Sequence, residues 1–231
     1  MDGARPSPNI WGSPGIYEIE NTAFDREGLV WNALRHIAGD APWAGADVLD
    51  IGCGTGFHLP MFAGRARSVT GVEPHHDLAA IARRRTRRLP SVSVLDGLAD
   101  ALPVADHAVD FAHARWAYFF GPGCEPGLAE LDRVMRPGGF AAILDNDPTR
   151  SQFGAWFRRG FPSVQADRID AFWIAQGWNR CPVETAWDFD TRDDLEAVVR
   201  IELPAAAADE ALATHTGLHV DYAVNVWWRA F

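Results

Sequence analysis

Residues 48–60 read VLDIGCGTGFHLP, and this stretch limits the possible fold more than any other in the chain. The first four residues are mostly apolar and suit a buried strand, the next five contain three glycines, and the rest can begin a helix. A strand, a glycine loop and a helix in this order are typical of nucleotide-binding α/β folds. The stretch therefore predicts a ligand at the end of this strand, and the chemistry of that ligand decides the function.

After residue 46, short β-rich segments alternate with helical patterns, which indicates parallel βαβ units. We predict strands at Asp47–Ile51, Ser68–Glu73, Ser91–Leu95, Val109–Ala114, Phe140–Asn146, Val183–Phe189 and His219–Trp228. Together they predict an α/β fold: a Rossmann-like, doubly wound seven-stranded sheet. Its strands are mostly parallel, its helices cover both faces, and its last strand is antiparallel.

Helical patterns occupy the segments between these strands and before the first of them. The clearest are Asp25–Ala38, His75–Arg88, Ser151–Trp178 and Thr191–Thr214. The tetrapeptide RPGG at 136–139 predicts the end of a helix and a tight turn into the next strand, because proline disfavours helical geometry in the residue before it.

A chain of 231 residues, 48% of them hydrophobic, fits a single domain. Within it we assign residues 1–46 to an N-terminal lid and helix and residues 47–146 to a cofactor-binding core. Residues 147–231 then supply helical insertions and the last strands on the substrate side.

The formal net charge of −10 disfavours nucleic acid as a partner, because affinity for nucleic acid comes mainly from neutralising phosphates. The one basic run, RRRTRR at 83–88, fits either a solvated helix face or a local basic patch. All 21 basic residues are arginine, which excludes Schiff-base chemistry and a phosphate-binding loop lysine.

No apolar run suggests secretion or membrane insertion. The cysteines, Cys53, Cys124 and Cys181, are widely spaced, so we expect a reducing, cytoplasmic setting and no metal site.

The loop after the first strand departs from a dinucleotide fingerprint, which needs glycine at its first, third and sixth positions. The glycines here are Gly52, Gly54 and Gly56, and the sixth position is Phe57. Asp50 precedes the loop and would repel a pyrophosphate by about 4 kcal/mol at about 4 Å and an effective dielectric constant of 20. Glu73 ends the second strand about 20 residues later, which suits a carboxylate that binds ribose hydroxyls. These features favour a nucleoside that carries cationic groups and no phosphate.

Four motifs carry a resemblance to a known family. DIGCGTG at 50–56, the strand end GVEP, the segment ALPVADHAVDFAHA and the RPGG turn together resemble the class I S-adenosylmethionine-dependent methyltransferases of small-molecule type, which include quinone C-methyltransferases. The resemblance covers roughly residues 48–146. It implies S-adenosyl-L-methionine as cofactor and a small molecule as methyl acceptor. The aromatic residues of the second half suit an aromatic or hydrophobic acceptor, and we expect neither nucleic acid nor a membrane as partner.

Carried onto this sequence, the resemblance implies a set of cofactor-binding residues. They are Asp50, Gly52, Cys53, Gly54, Gly56, Glu73, Pro74, His75, Gly97, Leu98, Ala99 and Arg115. Glu73 would bind the ribose, and Arg115 would hold the cofactor carboxylate or form a structural salt bridge. The family often has an aspartate where Leu98 stands, and that acid contacts the exocyclic amine of the adenine. In this chain Asp96, Asp100 or the backbone would contact the adenine instead.

His113, Tyr118 and Asp147 are the candidate catalytic residues, because each follows or ends a strand near the expected acceptor. The alternatives are a buried core histidine, a packing tyrosine and a turn-capping aspartate. His58 lies just beyond the glycine loop, and Tyr17 and Phe24 precede the first predicted helix, where a lid would close. Six tryptophans suit either an aromatic acceptor wall or the core: Trp156, Trp173, Trp178, Trp187, Trp227 and Trp228.

Three other functions stay open at this point. The chain could be a non-catalytic cofactor-binding or scaffolding protein, because no single general base stands out. It could methylate protein or RNA, although ARWA stands where nucleic-acid amino-methylating enzymes tend to carry an NPPY-like tetrapeptide. An NAD-dependent enzyme is the third alternative.

Overall fold

The computed structural model describes residues 6–118 and 121–231. The strands in this part of the chain are β1 (Asp47–Ile51), β2 (Ser68–Glu73), β3 (Val92–Asp96), β4 (Val109–Arg115), β5 (Met135–Asn146), β6 (Asn179–Asp188) and β7 (His219–Ala230). The helices are α1 (Pro8–Gly12), α2 (Pro14–Ala23), α3 (Leu29–Ala38), α4 (Leu59–Ala63), α5 (His76–Thr86), α6 (Glu125–Val134), α7 (Gln152–Gly160), α8 (Ala166–Ala175), α9 (Arg192–Glu202) and α10 (Ala205–Thr214). None of these helices is long and apolar enough to cross a membrane.

The strands form one sheet in the order β3-β2-β1-β4-β5-β7-β6. The pairs from β3 to β5 are parallel, and β7 runs antiparallel to both of its neighbours. The predicted α/β sheet with an antiparallel last strand is confirmed. The strand order reverses between β1 and β4, so their carboxyl ends border the crevice in which open α/β sheets bind ligands.

The predicted helix Asp25–Ala38 is wrong at its beginning, because α3 starts at Leu29. Gly28 has a left-handed φ of 70°, which breaks the helical path. The carboxylate of Asp25 accepts hydrogen bonds from the backbone N–H groups of Leu29 at 2.8 Å and Val30 at 3.1 Å. Asp25 therefore caps the first turn of α3 from outside the helix.

The two long helical segments predicted in the second half are each divided in two. Pro162 lies in the break between α7 and α8, and Pro204 lies in the break between α9 and α10. Proline has no N–H group and clashes with a continuing helix, so each break follows from the sequence. The RPGG tetrapeptide does follow a helix end, at Val134, but it lies inside β5, which begins at Met135. The register with β4 shifts there, from Met135 opposite Val109 to Phe140 opposite Phe111, and Gly138 has a φ of 85°. The chain therefore bends irregularly within β5 instead of turning before it.

The N-terminal segment contains two helices that were not predicted. Tyr17 lies inside α2, not before the first helix, and it is buried. Phe24 follows α2 and pairs with Trp187 of β6 in an isolated bridge. The N-terminal segment is thereby joined to the last part of the sheet.

The tryptophans of the second half mostly fill the core. The side chains of Trp173, Trp187 and Trp227 have no exposed surface. Trp173 stacks on Trp227, with ring centroids 5.7 Å apart and an interplanar angle of 20°. Large apolar area removed from water is the main stabilising contribution of such side chains.

We expect Trp173→Ala to lower the free energy of unfolding by about 3–5 kcal/mol, because it leaves a large cavity in the core. The neighbouring Ile174 is 64% exposed, so Ile174→Ala should change the free energy of unfolding by about 0.5 kcal/mol or less. Urea denaturation of both variants checks this. Equal effects at the two positions would contradict the assignment of Trp173 to the core.

Candidate functional site

A cavity of about 720 Å³ opens at the carboxyl ends of β1, β2, β4 and β5. Asn9 of α1, Tyr17 of α2 and Glu202 at the end of α9 also line it, so the N-terminal helices cover the crevice. The volume lies within the range of about 300–1,000 Å³ that is common for small-molecule sites.

The glycine loop lies against one side of the cavity in a left-handed backbone conformation. Gly52 and Gly54 line the cavity, with φ values of 68° and 57°. A Cβ atom at Gly52 would lie 2.7 Å from Cβ of Ala117, so no larger residue fits. Gly56 lies outside the cavity, against Ala82 of α5, where an added Cβ would lie 3.0 Å from the alanine methyl. Gly56 therefore serves the packing of the loop against α5, and its predicted contact with the cofactor stays a prediction.

Glu73 is held at the end of β2 by two backbone donors. Its Oε2 accepts a hydrogen bond from the N–H of Gly54 at 2.9 Å, and its Oε1 accepts one from the N–H of His75 at 2.9 Å. The side chain is buried in the cavity wall, and burial raises the pKa of its carboxyl group. The two hydrogen bonds favour the ionised form and offset only part of this rise. Pro74 also lines the cavity, whereas His75 lines a neighbouring depression and packs on Trp11, with ring centroids 4.7 Å apart.

Asp50 and His113 form a buried pair beside the loop. His113 Nδ1 and Asp50 Oδ1 are 2.7 Å apart, and the histidine side chain has no exposed surface. The rings of Trp31, His58 and Phe62 surround that imidazole at centroid distances of 5.3–5.7 Å. Burial lowers the pKa of His58 well below its usual value, so this ring is neutral near pH 7. The geometry makes His113 a group that positions Asp50.

Backbone and small side chains line the cavity beyond the end of β3. The three predicted residues here are all in its wall: Gly97, Leu98 and Ala99. Asp100 lines it as well, whereas the carboxylate of Asp96 accepts a hydrogen bond from Arg83 at 2.8 Å. Of the two acids considered for the adenine, only Asp100 is part of the cavity wall.

Arg115 lines the cavity from the end of β4 but is engaged with a buried acidic pair. Glu20 and Glu202 hydrogen-bond to each other, and burial raises the pKa of both carboxyls. Burial also raises the pKa of Tyr17, which is hydrogen-bonded to Arg115, and the positive charge of Arg115 opposes the rise at all three side chains. Its guanidinium lies 4.3 Å from the ring centroid of Trp116. Arg115 therefore has partners within the protein: it bonds to Tyr17, acts on the two buried glutamates and lies against the ring of Trp116.

Tyr118 and Asp147, two of the predicted catalytic residues, differ in their position. Tyr118 is buried in the cavity wall, its hydroxyl has no partner among the described residues, and burial raises its pKa far above neutral. Asp147 lies outside the cavity wall: its Oδ1 accepts a hydrogen bond from the N–H of Thr149 at 2.9 Å, and its Oδ2 pairs with Arg180 at 3.1 Å. Asp147 is thus a turn-capping residue, and the structure does not bring it together with His113 and Tyr118.

Asp145, two residues earlier, takes the place in the cavity that was predicted for Asp147. It is 1% exposed, and its Oδ2 has no hydrogen-bond partner within the described part of the chain. Burial raises the pKa of Asp145 to about 7. The sequence segment LDNDP contains both Asp145 and Asp147. Only the local path of the chain decides that Asp145 lines the cavity and Asp147 does not.

An apolar wall faces these carboxylates. It comes from α7, the loop after it and the α9–α10 connection, and it consists of Phe157, Phe161, Val164, Ile201, Leu203 and Pro204. None of the six tryptophans considered as an aromatic wall is among the lining residues. The tryptophans in the described cavity wall are Trp11 and Trp116. Trp116 has a strained φ of 54° and an indole N–H that is buried without a described partner.

Comparisons with known proteins agree with this geometry. Residues 49–143 match a family model described as a methyltransferase domain. A protein of Mycolicibacterium smegmatis named a probable S-adenosylmethionine-dependent methyltransferase is 34% identical over 140 residues, 61% of this chain and 50% of that protein. A demethylmenaquinone methyltransferase of Staphylococcus carnosus is 24% identical over 161 residues, 68% of this chain and 67% of that protein. The chain thus spans about half to two thirds of the length of these relatives.

A crystal structure of an S-adenosylmethionine-dependent methyltransferase from Aquifex aeolicus has the same fold, with a TM-score of 0.56 and 17% identity. The superposition covers 92% of this chain and 97% of that one. The comparisons agree with one another: residues 49–143 match a methyltransferase domain, the relatives are similar over part of their length, and the sheet has the fold of S-adenosylmethionine-dependent methyltransferases of known structure.

Proposed function

We propose that this protein transfers a methyl group from S-adenosylmethionine to a small molecule with an aromatic or hydrophobic body. The observation that carries the proposal is the charge of the cavity. Among the described lining residues, five carboxylates face one arginine: Asp50, Glu73, Asp100, Asp145 and Glu202 against Arg115. A phosphate would be repelled there, whereas a sulfonium and an ammonium would be attracted.

The residues of the cavity fit this cofactor. Each oxygen of Glu73 accepts one backbone hydrogen bond, and a carboxylate oxygen has a further lone pair for a ribose hydroxyl. Asp50 would face the ammonium end, and residues 97–99 with Asp100 would border the adenine. When bound, S-adenosylmethionine supplies an electrophilic methyl group on a positively charged sulfur.

The chain itself would supply position and shelter from water. The N-terminal helices cover the crevice, and the apolar wall defined above would hold the acceptor body against the carboxyl ends of β4 and β5. Holding two reacting groups at about 3–3.5 Å accounts for much of the acceleration of such a displacement. The buried position of the cavity also excludes competing hydrolysis.

The choice of a small acceptor rests on the shape and charge of the site. The relatives include a demethylmenaquinone methyltransferase and a malonyl-[acyl-carrier protein] O-methyltransferase. A net charge of −10 disfavours RNA as the acceptor. From the wide spacing of the cysteines we also propose a reducing, cytoplasmic location.

Isothermal titration calorimetry tests the proposal directly. We expect S-adenosylmethionine and S-adenosylhomocysteine to bind one site per chain, and we expect NADH not to bind, because its pyrophosphate would meet the carboxylates. Incubation of cell metabolites with a labelled methyl donor should then yield a labelled small product. Binding of NADH without binding of either sulfur nucleoside would reject the proposed function.

Glu73→Gln should weaken S-adenosylhomocysteine binding roughly 10- to 100-fold, because a hydrogen bond to a charged group contributes about 1.5–3 kcal/mol. Glu184→Gln is the matched control, since that side chain is 73% exposed on β6 and lies outside the cavity. Calorimetry on both variants measures the difference. Equal affinities would show that Glu73 does not hold the ligand.

His113→Leu should weaken S-adenosylhomocysteine binding about 10-fold and lower the free energy of unfolding by about 1–3 kcal/mol, because the Asp50 carboxylate loses its buried donor. His113→Asn can still donate from its amide and should restore most of the affinity. Calorimetry and urea denaturation separate the two effects. A loss of stability with unchanged affinity in the leucine variant would limit His113 to a structural role.

A further inference from the structure

Asp145 is a buried carboxylate in the cavity wall that the binding of the cofactor nucleoside does not use. It is the last residue but one of β5, next to Leu144, which is the register partner of Arg115, and it lines the same cavity as Arg115, Trp116 and the apolar wall. Its Oδ2 is buried and has no hydrogen-bond partner in the described part of the chain. A buried carboxylate without a partner is costly, so a ligand group that compensates it is expected.

Arg115, the arginine of the described cavity wall, does not compensate Asp145. Its positive charge acts on the buried carboxyls of Glu20 in α2 and Glu202 in α9, where it opposes the rise in pKa that burial causes. Burial alone accounts for the raised pKa of Asp145, with no contribution from Arg115. Carboxyl groups therefore outnumber cations in this part of the cavity.

The charged groups of β6 and β7 are likewise engaged elsewhere. Asn225 of β7 is the register partner of Asp145, and its Oδ1 accepts a hydrogen bond from Arg180 of β6 at 2.8 Å. Arg180 pairs with Asp170 at 2.6 Å and with Asp147 at 3.1 Å. Arg180 is therefore engaged by Asn225, Asp170 and Asp147, and it lies outside the cavity wall.

A second acceptor without a donor lies in the same cavity wall. Oδ1 of Asn21, on α2, is buried and lacks a hydrogen-bond partner in the described part of the chain. Asp145 and Asn21 thus offer two acceptor atoms to a ligand. A protonated amine can donate to more than one acceptor, whereas a hydroxyl donates one hydrogen bond and brings no charge.

We propose that the methyl acceptor is a primary or secondary amine with an apolar body, and that Asp145 binds its ammonium group and takes the proton that nitrogen must lose. The inference rests on the proposed function and specifies its acceptor. The proton passes from nitrogen to Oδ2 of Asp145, which frees the lone pair. The nitrogen–methyl bond then forms as the sulfur–methyl bond breaks, and the bonding pair of the latter stays on sulfur. Asp145 releases the proton to water after the product leaves.

The test uses 2-phenylethylamine and 2-phenylethanol, which share an apolar body and differ in charge. Calorimetry is done on the protein saturated with S-adenosylhomocysteine, at pH 6 and pH 8. The amine should bind the wild type about 10-fold more tightly at pH 8, because a carboxyl with a pKa of about 7 is then mostly ionised. Affinity for the alcohol should not change with pH.

Asp145→Asn should weaken amine binding at least 10-fold at pH 8 and abolish its pH dependence. Asp221→Asn is the matched control, because that side chain is 71% exposed on β7. Burial disfavours the ionised carboxylate of Asp145, so the wild type should lose stability from pH 5 to pH 8, whereas the asparagine variant has no such charge. The free energy of unfolding of Asp145→Asn minus that of the wild type should therefore increase over this range. This second measurement shows that the variant folds and that the carboxylate is ionised in the native protein.

Three results would overturn the inference: no binding of the amine to the wild type, equal affinity for amine and alcohol, or amine affinity unchanged in Asp145→Asn. Binding of S-adenosylhomocysteine separates this failure from that of the proposed function. If the nucleoside binds and labelled methyl groups appear on phenols or acids but not on amines, only the choice of an amine is wrong. If the nucleoside does not bind, the proposed function fails as well.

Discussion

The hydrogen bonds that Glu73 accepts from Gly54 and His75 join the parts of the site on which the rest depends. They tie the loop after β1 to the end of β2 and to the beginning of α5. A loop with several left-handed residues has high conformational entropy when it is free, so a fixed partner is needed to order it. The same carboxylate that orders the loop is the one that we propose for the ribose. On this proposal, the order of the loop and the binding of the ligand depend on one side chain.

The balance of charge divides the cavity into regions with different tasks. Near the loop, Asp50 is paired with His113, and Glu73 is bound by backbone N–H groups. Around Arg115, the guanidinium opposes the rise in pKa that burial causes at Glu20 and Glu202. Asp145 alone among these acids has no such partner in the described structure. We propose that this carboxyl selects the methyl acceptor.

Local sequence patterns were enough to predict the sheet, because buried parallel strands are apolar runs bounded by turn residues. β1 and β2 have the predicted bounds, and the loop between them follows from its glycines. The cluster of Arg115, Glu20 and Glu202 could not be predicted, since it joins three elements that are distant in sequence. The difference between Asp145 and Asp147 was equally hidden. The side chain of Asp147 is held outside the cavity wall by the N–H of Thr149 and by Arg180, and these two contacts are not evident from the sequence.

The most direct test of the account is a crystal structure of the protein with S-adenosylhomocysteine. The account predicts that both ribose hydroxyls lie within hydrogen-bonding distance of the Glu73 carboxylate, that this carboxylate keeps its bonds to Gly54 and His75, and that the thioether sulfur faces the side of the cavity that contains Asp145. A nucleoside bound elsewhere, or a Glu73 side chain turned away from the ribose, would contradict it.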